Sequence, residues 1–266
     1  MTTPLDSERS WSTHMLPFKS SKKMIAELPS VETMDAVDAL IYPNLFASLG
    51  PADDVIQLRA QQRLHRNVIE RSGLLAVRDG MLAVDLVLDN GERQILDFLM
   101  PGDIIPLIAH VASKEVAVRA VTVATLFQPV EQAPAASIVK LWERLFEQCQ
   151  AQLARANIHE MMIGRLDAES RVASFLVHLA LRSNGVLGSG IRLALPMSRH
   201  DIADHLAINP DTLSRIMTRL ETVGLIERIS RHEIRIGDIG NLSLLTPLSK
   251  MIATVTEVPK HHHALN

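Results

Sequence analysis

The sequence predicts an α+β chain: a small antiparallel β-roll, then one long helix, then a C-terminal helix-turn-helix with a β-hairpin wing. Three observations predict it. Between residues 57 and 130, short apolar runs alternate with the turn dipeptides Asp79-Gly80 and Asn90-Gly91. After Ser137, apolar residues recur at steps of three and four. Nearer the C-terminus, Ser198 and Asn209 each open a short helical stretch with a favoured capping side chain.

The chain has 266 residues, 47% hydrophobic and 21% charged. At roughly 100–200 residues per domain, that length suits two domains, or one large one, with packed cores. No apolar run approaches the roughly 18–20 residues of a spanning helix, and Met1 to Ser12 lacks the apolar heart of an export signal. A cytoplasmic protein with no membrane partner is expected. Cys149 is the only cysteine, which excludes a disulfide framework, a thiolate zinc site and an all-cysteine iron–sulfur cluster within one chain. No metal site and no cofactor are expected.

A net charge of −3 carries no global sign of nucleic-acid binding. Locally the balance differs. Residues 165–236 hold ten basic and eight acidic groups, and every one of those cations is arginine. Arginine's planar fork suits phosphate and guanine better than lysine's point charge.

Taken in order, residues 1–40 lack sustained periodicity and read as a flexible extension with a short helix near 31–41. Residues 41–136 form the roll. Leu74 to Val77, Met81 to Leu88 and Gln94 to Leu99 read as strands, as does Val116 to Leu126. Asp-Gly and Asn-Gly between such runs predict two-residue hairpins whose turn residues accept positive φ. Residues 137–164 form a helix roughly 40 Å long at 1.5 Å per residue. Ile138, Trp142, Leu145, Cys149, Leu153 and Ala156 make a narrow seam on it, the pattern of a helix that meets its twin in a homodimer, the alternative being a stripe packed on its own domain. A helix over 167–182 buries Val172, Phe175, Leu176 and Leu179, and a short strand follows over 191–195. Residues 165–240 complete the third unit, and 241–266 read as a tail.

Ser198-Arg199-His200-Asp201 has the form of a capping box opening a helix to Leu206. Ala207-Ile208 turns tightly, and Asn209-Pro210 starts a second helix with a capping amide and proline at its first position. Ile202, Ala203, Leu206, Ile208, Leu213, Ile216, Met217 and Leu220 form the inner face. Asp211, Ser214, Arg215, Thr218 and Arg219 remain outside. A carboxylate, a hydroxyl and a guanidinium at i, i+3 and i+4 match the chemistry of base edges in a major groove. Arg215 can bond guanine O6 and N7 together, Asp211 can accept from cytosine N4, and Ser214 can reach a base or phosphate. Ser198, Arg199, Asn209, Thr212, Thr218, Arg219 and Arg231 are the candidates for backbone or accessory contacts. Leu225 to Ile236 alternates as a hairpin, bringing Arg228 and Arg235 near as well. Double-stranded DNA is the expected partner.

The run from Ser198 to Leu206, through Thr212-Leu213-Ser214-Arg215, to Leu220-Glu221-Thr222-Val223-Gly224-Leu225-Ile226 closely resembles the winged-helix end of the Crp/Fnr transcription regulators. Gly91 to Asp103 resembles their cyclic-nucleotide-binding-like sensor roll, especially in the Fnr/FixK branch. The resemblance covers residues 45–240. It implies a homodimer, an inverted-repeat site with TTGA-like half-sites favoured by Ser214, and contact with RNA polymerase. Asp211 stands where the family usually has glutamate, and Ala207 where it commonly has glycine.

The resemblance also locates possible switches. The positions that hold a cyclic-nucleotide phosphate in relatives correspond to Leu107, Lys114 and Glu115, and a carboxylate there repels phosphate. The N-terminal cysteine cluster of oxygen-sensing members is missing. Cys149 is the remaining redox candidate, and His65 or His110 the candidate axial ligands of a haem. The alternative readings are a roll whose small-molecule effector controls DNA binding, or a ligand module that binds no DNA. An enzyme is not expected, because residues 57–130 hold only two histidines, His65 and His110, without metal-binding spacing. His200 and His205 do not face together on one short helix, and the His261 to His263 run receives no function.

Overall fold

The computed structural model describes residues 55–72, 74–105, 115–129, 138–184 and 188–256. The expected extension over 1–40 lies outside them, as do Leu107, His110, Lys114 and the His261 to His263 run.

The roll comprises β1 (Ile56–Leu58), α1 (Arg66–Ser72), β2 (Ala76–Asp79), β3 (Leu82–Val87), β4 (Arg93–Leu99), β5 (Val116–Ala120) and β6 (Ala124–Phe127). Two three-stranded antiparallel sheets result, ordered β1-β6-β2 and β4-β3-β5. Leu75, Val77, Leu82, Val84, Leu99, Val118 and Leu126 pack between them. Ala83, Ile95 and Phe98 face the other way and join the core of the C-terminal half. Central strand β3 is thus covered on both faces, which explains why Leu82, Ala83 and Val84 are apolar in succession and all buried.

Both expected tight turns take other forms. Gly91 has φ 82°, but Asn90 does not leave negative φ. Leu88 N–H donates to Glu92 O at 2.9 Å and Gly91 N–H to Leu88 O at 2.8 Å, so the loop has three residues and closes on glycine. Asp79-Gly80 makes no hairpin at all; it carries the chain from one sheet to the other. Glycine is required there because φ is 85° and a Cβ would overlap the Val123 carbonyl.

Helix α2 (Ile138–Arg165) has two faces. Leu141 and Leu145 pack into the roll with Ala76, Ile104 and Phe127. Gln148 and Gln152 donate to the carbonyls of Gly102 and Ile104, and Arg155 to Asp103 at 2.7 Å. The other face is apolar and exposed: Val139, Trp142, Phe146, Cys149, Leu153 and Ala156, at steps of three and four. Leu145 therefore does not belong to the seam; it is 7% exposed in its own domain, while its neighbour Phe146 is 63% exposed. Two apolar stripes lie side by side on this helix, and their shared three–four spacing merges them in the sequence. The side chain of Ile138 lies outside the described residues.

The C-terminal half adds α3 (Ala168–Asn184), β7 (Ser189–Ala194), α4 (Arg199–Leu206), α5 (Pro210–Thr222), β8 (Ile226–Ser230), β9 (Glu233–Asp238), α6 (Ile239–Ser243) and α7 (Ser249–Thr256). Strands β7, β9 and β8 form a third antiparallel sheet, ordered β7-β9-β8, with β8–β9 as the hairpin. Val172, Phe175, Leu176 and Leu179 are buried as expected. The tail reading fails for residues 241–256, where helices form: Ile252 is fully buried in the main core, and the Thr246 hydroxyl meets that of Ser174 at 2.6 Å. An eight-residue helix is too short for periodicity to declare itself.

Candidate nucleic-acid interface

Local chemistry sets both helices of the pair. Ser198 caps α4: its hydroxyl accepts from Asp201 N–H at 3.1 Å, while Asp201 accepts from Ser198 N–H at 3.2 Å. The helix ends on Ala207 in the left-handed region (φ 50°, ψ 47°), so the departure from glycine costs about 1 kcal/mol. Asn209 then caps α5, its side-chain oxygen accepting from Asp211 N–H at 2.8 Å, with Pro210 in the first turn.

Leu213 and Leu220 anchor the inner face of α5 and Ile216 and Met217 pack beside them. On the outer face Asp211, Arg215, Thr218 and Arg219 are exposed, and Thr212 and Ser214 are partly covered. Arg215 makes no hydrogen bond or ion pair among the described residues. Its guanidinium is unspent. Arg231, beyond the wing strand β8, is likewise exposed.

Other expected contacts are partly engaged within the protein. Arg199 Nη1 donates to Ser214 Oγ at 3.0 Å, joining the two helices across the turn. Arg219 pairs with Glu169 at 3.2 Å, Arg228 with Glu221 at 3.5 Å and Arg235 with Glu227 at 2.7 Å. The Ser198 hydroxyl is held in the cap. Only the Ser198 cap was readable in the sequence; the four arginine pairings were not, because their partners lie on different elements.

Beneath α4 lies a buried aromatic and imidazole cluster. His205 Nδ1–H donates to Ile95 O at 3.0 Å, and His159 Nε2–H donates to His205 O at 2.7 Å. The two rings stack at 4.2 Å, with Phe98 and Phe175 tilted against His205. Burial, helped by the nearby His159, pushes the His205 imidazole well below its ordinary value. Burial and the Arg182 and Arg155 guanidiniums do the same to His178. Unfolding frees both rings to titrate near 6.5. The unfolded chain then binds more protons below that pH, so stability is full above it and falls as the pH drops. The urea midpoint should be flat above about pH 7 and decline from about pH 6.5 downward. A midpoint unchanged over that descent contradicts the burial of these rings. Asp201 acts in a lower window. Burial opposes its ionisation, but the Ser198 hydroxyl and the Arg119 and Arg93 guanidiniums prevail and hold it below the ordinary 3.8.

The other candidates for a switch are peripheral. His65 and Glu115 are exposed, Cys149 is exposed on α2, and no group of three or more metal-ligating side chains occurs among the described residues. No described helix is long and apolar enough to cross a membrane.

Residues 170–245 match the Crp-like helix-turn-helix domain. Together with the exposed second helix, that match defines a DNA-binding transcription regulator. The nitrogen fixation regulation protein FixK of Bradyrhizobium diazoefficiens is 31% identical over 214 residues, covering 73% of this chain and 84% of that one. The transcriptional activator protein FnrA of Stutzerimonas stutzeri is 29% identical over 200 residues, covering 70% and 79%. The solved structure of FixK2 from Bradyrhizobium japonicum superposes with a TM-score of 0.59 at 26% identity, covering 74% of this chain and 98% of that one. The chain belongs to the Crp/Fnr family, and within it is FixK-like.

Proposed function

We propose that two copies of this chain pair along α2 and read an inverted repeat of TTGA-like half-sites, each protomer placing α5 in a major groove. The observation that carries the reading is the unspent Arg215 guanidinium, with Asp211 one helical turn before it and the Ser214 hydroxyl beside it. Arg215 bonds guanine O6 and N7, Asp211 accepts from cytosine N4, and Ser214 selects at the neighbouring position. Aspartate's shorter reach weakens the cytosine contact relative to glutamate. Arg199, Asn209, Thr212, Thr218, Arg219 and Arg231 hold the register on the phosphates, Arg219 by leaving Glu169; Ser198 acts through its cap.

The exposed stripe of α2 supports the dimer. Val139, Trp142, Phe146, Cys149, Leu153 and Ala156 follow the alternating three–four spacing of a coiled-coil seam, and Trp142 and Leu153 are 53% and 63% exposed. A naked row of large apolar side chains is what a second α2 would cover. The relatives named as activators support contact with RNA polymerase. The role is recognition, not catalysis, and it needs no cofactor.

Selection of duplexes from a random pool by the reduced, ligand-free protein tests this. The expected product is an inverted repeat of TTGA-like half-sites about one helical turn apart, centre to centre. Enrichment of an unrelated or asymmetric sequence contradicts it.

A further inference from the structure

The reading domain is tied to the roll by charged side chains from three strands. Arg93 on β4 lies between two carboxylates of α4, its Nη2 2.9 Å from Asp201 Oδ1 and its Nε 2.8 Å from Asp204 Oδ2. Arg119 on β5 reaches the same Asp201 oxygen at 2.9 Å. It is held in turn by Asp85 of β3 at 2.8 and 3.2 Å and by Gln61 at 3.0 Å. Gln94 adds a bond to the His205 carbonyl at 3.2 Å. The Asp85, Arg119 and Asp201 side chains are 1%, 7% and 6% exposed; Arg93 and Asp204 are 30% and 28%.

Such pairs add little net stability, because desolvation offsets their attraction. They do fix geometry. A guanidinium fork donates to carboxylates only along a few directions, whereas an apolar contact tolerates sliding. Asp201 also closes the capping box of α4, so one carboxylate sets both where that helix starts and where it sits on the roll. Helix α4 in turn touches α5 through Arg199 and Ser214. The links run without a gap from roll strand to recognition helix.

We infer that Arg93 and Arg119 are positioning residues for DNA reading. Their ion pairs to Asp201 and Asp204 set the angle at which each reading domain leaves its roll, and hence the separation of the two recognition helices. This rests on the dimeric reading above.

Arg93 and Asp204 are the residues to vary, because both are partly exposed. Arg93→Ala, Asp204→Ala, the double substitution and Arg93→Lys are titrated against inverted repeats of different spacing and against a single half-site. Each alanine variant should bind the preferred repeat about tenfold more weakly and accept spacings one base pair longer or shorter. The double variant should be no worse than either single one, Arg93→Lys intermediate, and the single half-site indifferent to all of them. If Arg93→Ala does not fold, Asp204→Asn carries the same test. An unchanged spacing preference overturns the proposal, and so do additive losses or equal losses on the half-site, which a merely structural role produces. If the unsubstituted protein prefers no inverted repeat, the dimeric reading fails and the proposal falls with it, a result distinguishable from the others.

Discussion

Replacing Arg215 with alanine is expected to cost about 1–3 kcal/mol per half-site on the preferred repeat, and to relax the choice of base at one position. The size follows from what is lost. A guanidinium makes two parallel hydrogen bonds to guanine O6 and N7, and alanine makes neither. Because Arg215 has no partner among the described residues, its removal leaves no internal group stranded and the fold should be unaffected. Affinity is the readout, measured in parallel on the selected repeat and on scrambled DNA of equal length at one salt concentration. Equal losses on both would assign Arg215 to the phosphates.

Asp201→Ala is expected to act on stability instead, by about 3–5 kcal/mol. Two losses combine. The cap of α4 goes, by itself worth about 1 kcal/mol, and the buried Arg119 keeps only Asp85 and Gln61 as partners. Asp201→Asn should recover part of the cap but not the charge. Denaturation in urea at neutral pH measures both variants, and a loss below about 1 kcal/mol for the alanine variant would show that the carboxylate is not the shared anchor.

The helix pair was legible because its determinants are local: Ser198 with Asp201, Asn209 with Pro210, and a strong apolar period from Leu213 to Leu220. The length of α2 was legible for the same reason, its sidedness was not. Leu145 and Phe146 are adjacent, both apolar, and both compatible with a three–four repeat. Only the docking of α2 on Phe127 and Ile104 decides that Leu145 turns inward. Turn dipeptides located the chain reversals but misjudged their form, since Asp79-Gly80 leads to a second sheet rather than back along the first.

The links between roll and reading domain were out of reach for a different reason. Arg93 meets Asp201 and Asp204, and Arg119 meets Asp201, across 82 to 111 residues. Each of these side chains, taken alone, reads as an ordinary surface charge. In the sequence Asp201 had one visible role, as the third residue of a helical cap; its second role exists only because β4 and β5 lie against α4.

The most direct measurement replaces guanine with 7-deazaguanine at the single guanine of each half-site, which removes N7 and leaves the rest of the duplex intact. The unsubstituted protein should lose about tenfold in affinity for each replaced base, while Arg215→Ala should bind both duplexes equally. Losses of the same size in the two proteins, or none in either, would contradict the reading of guanine by Arg215.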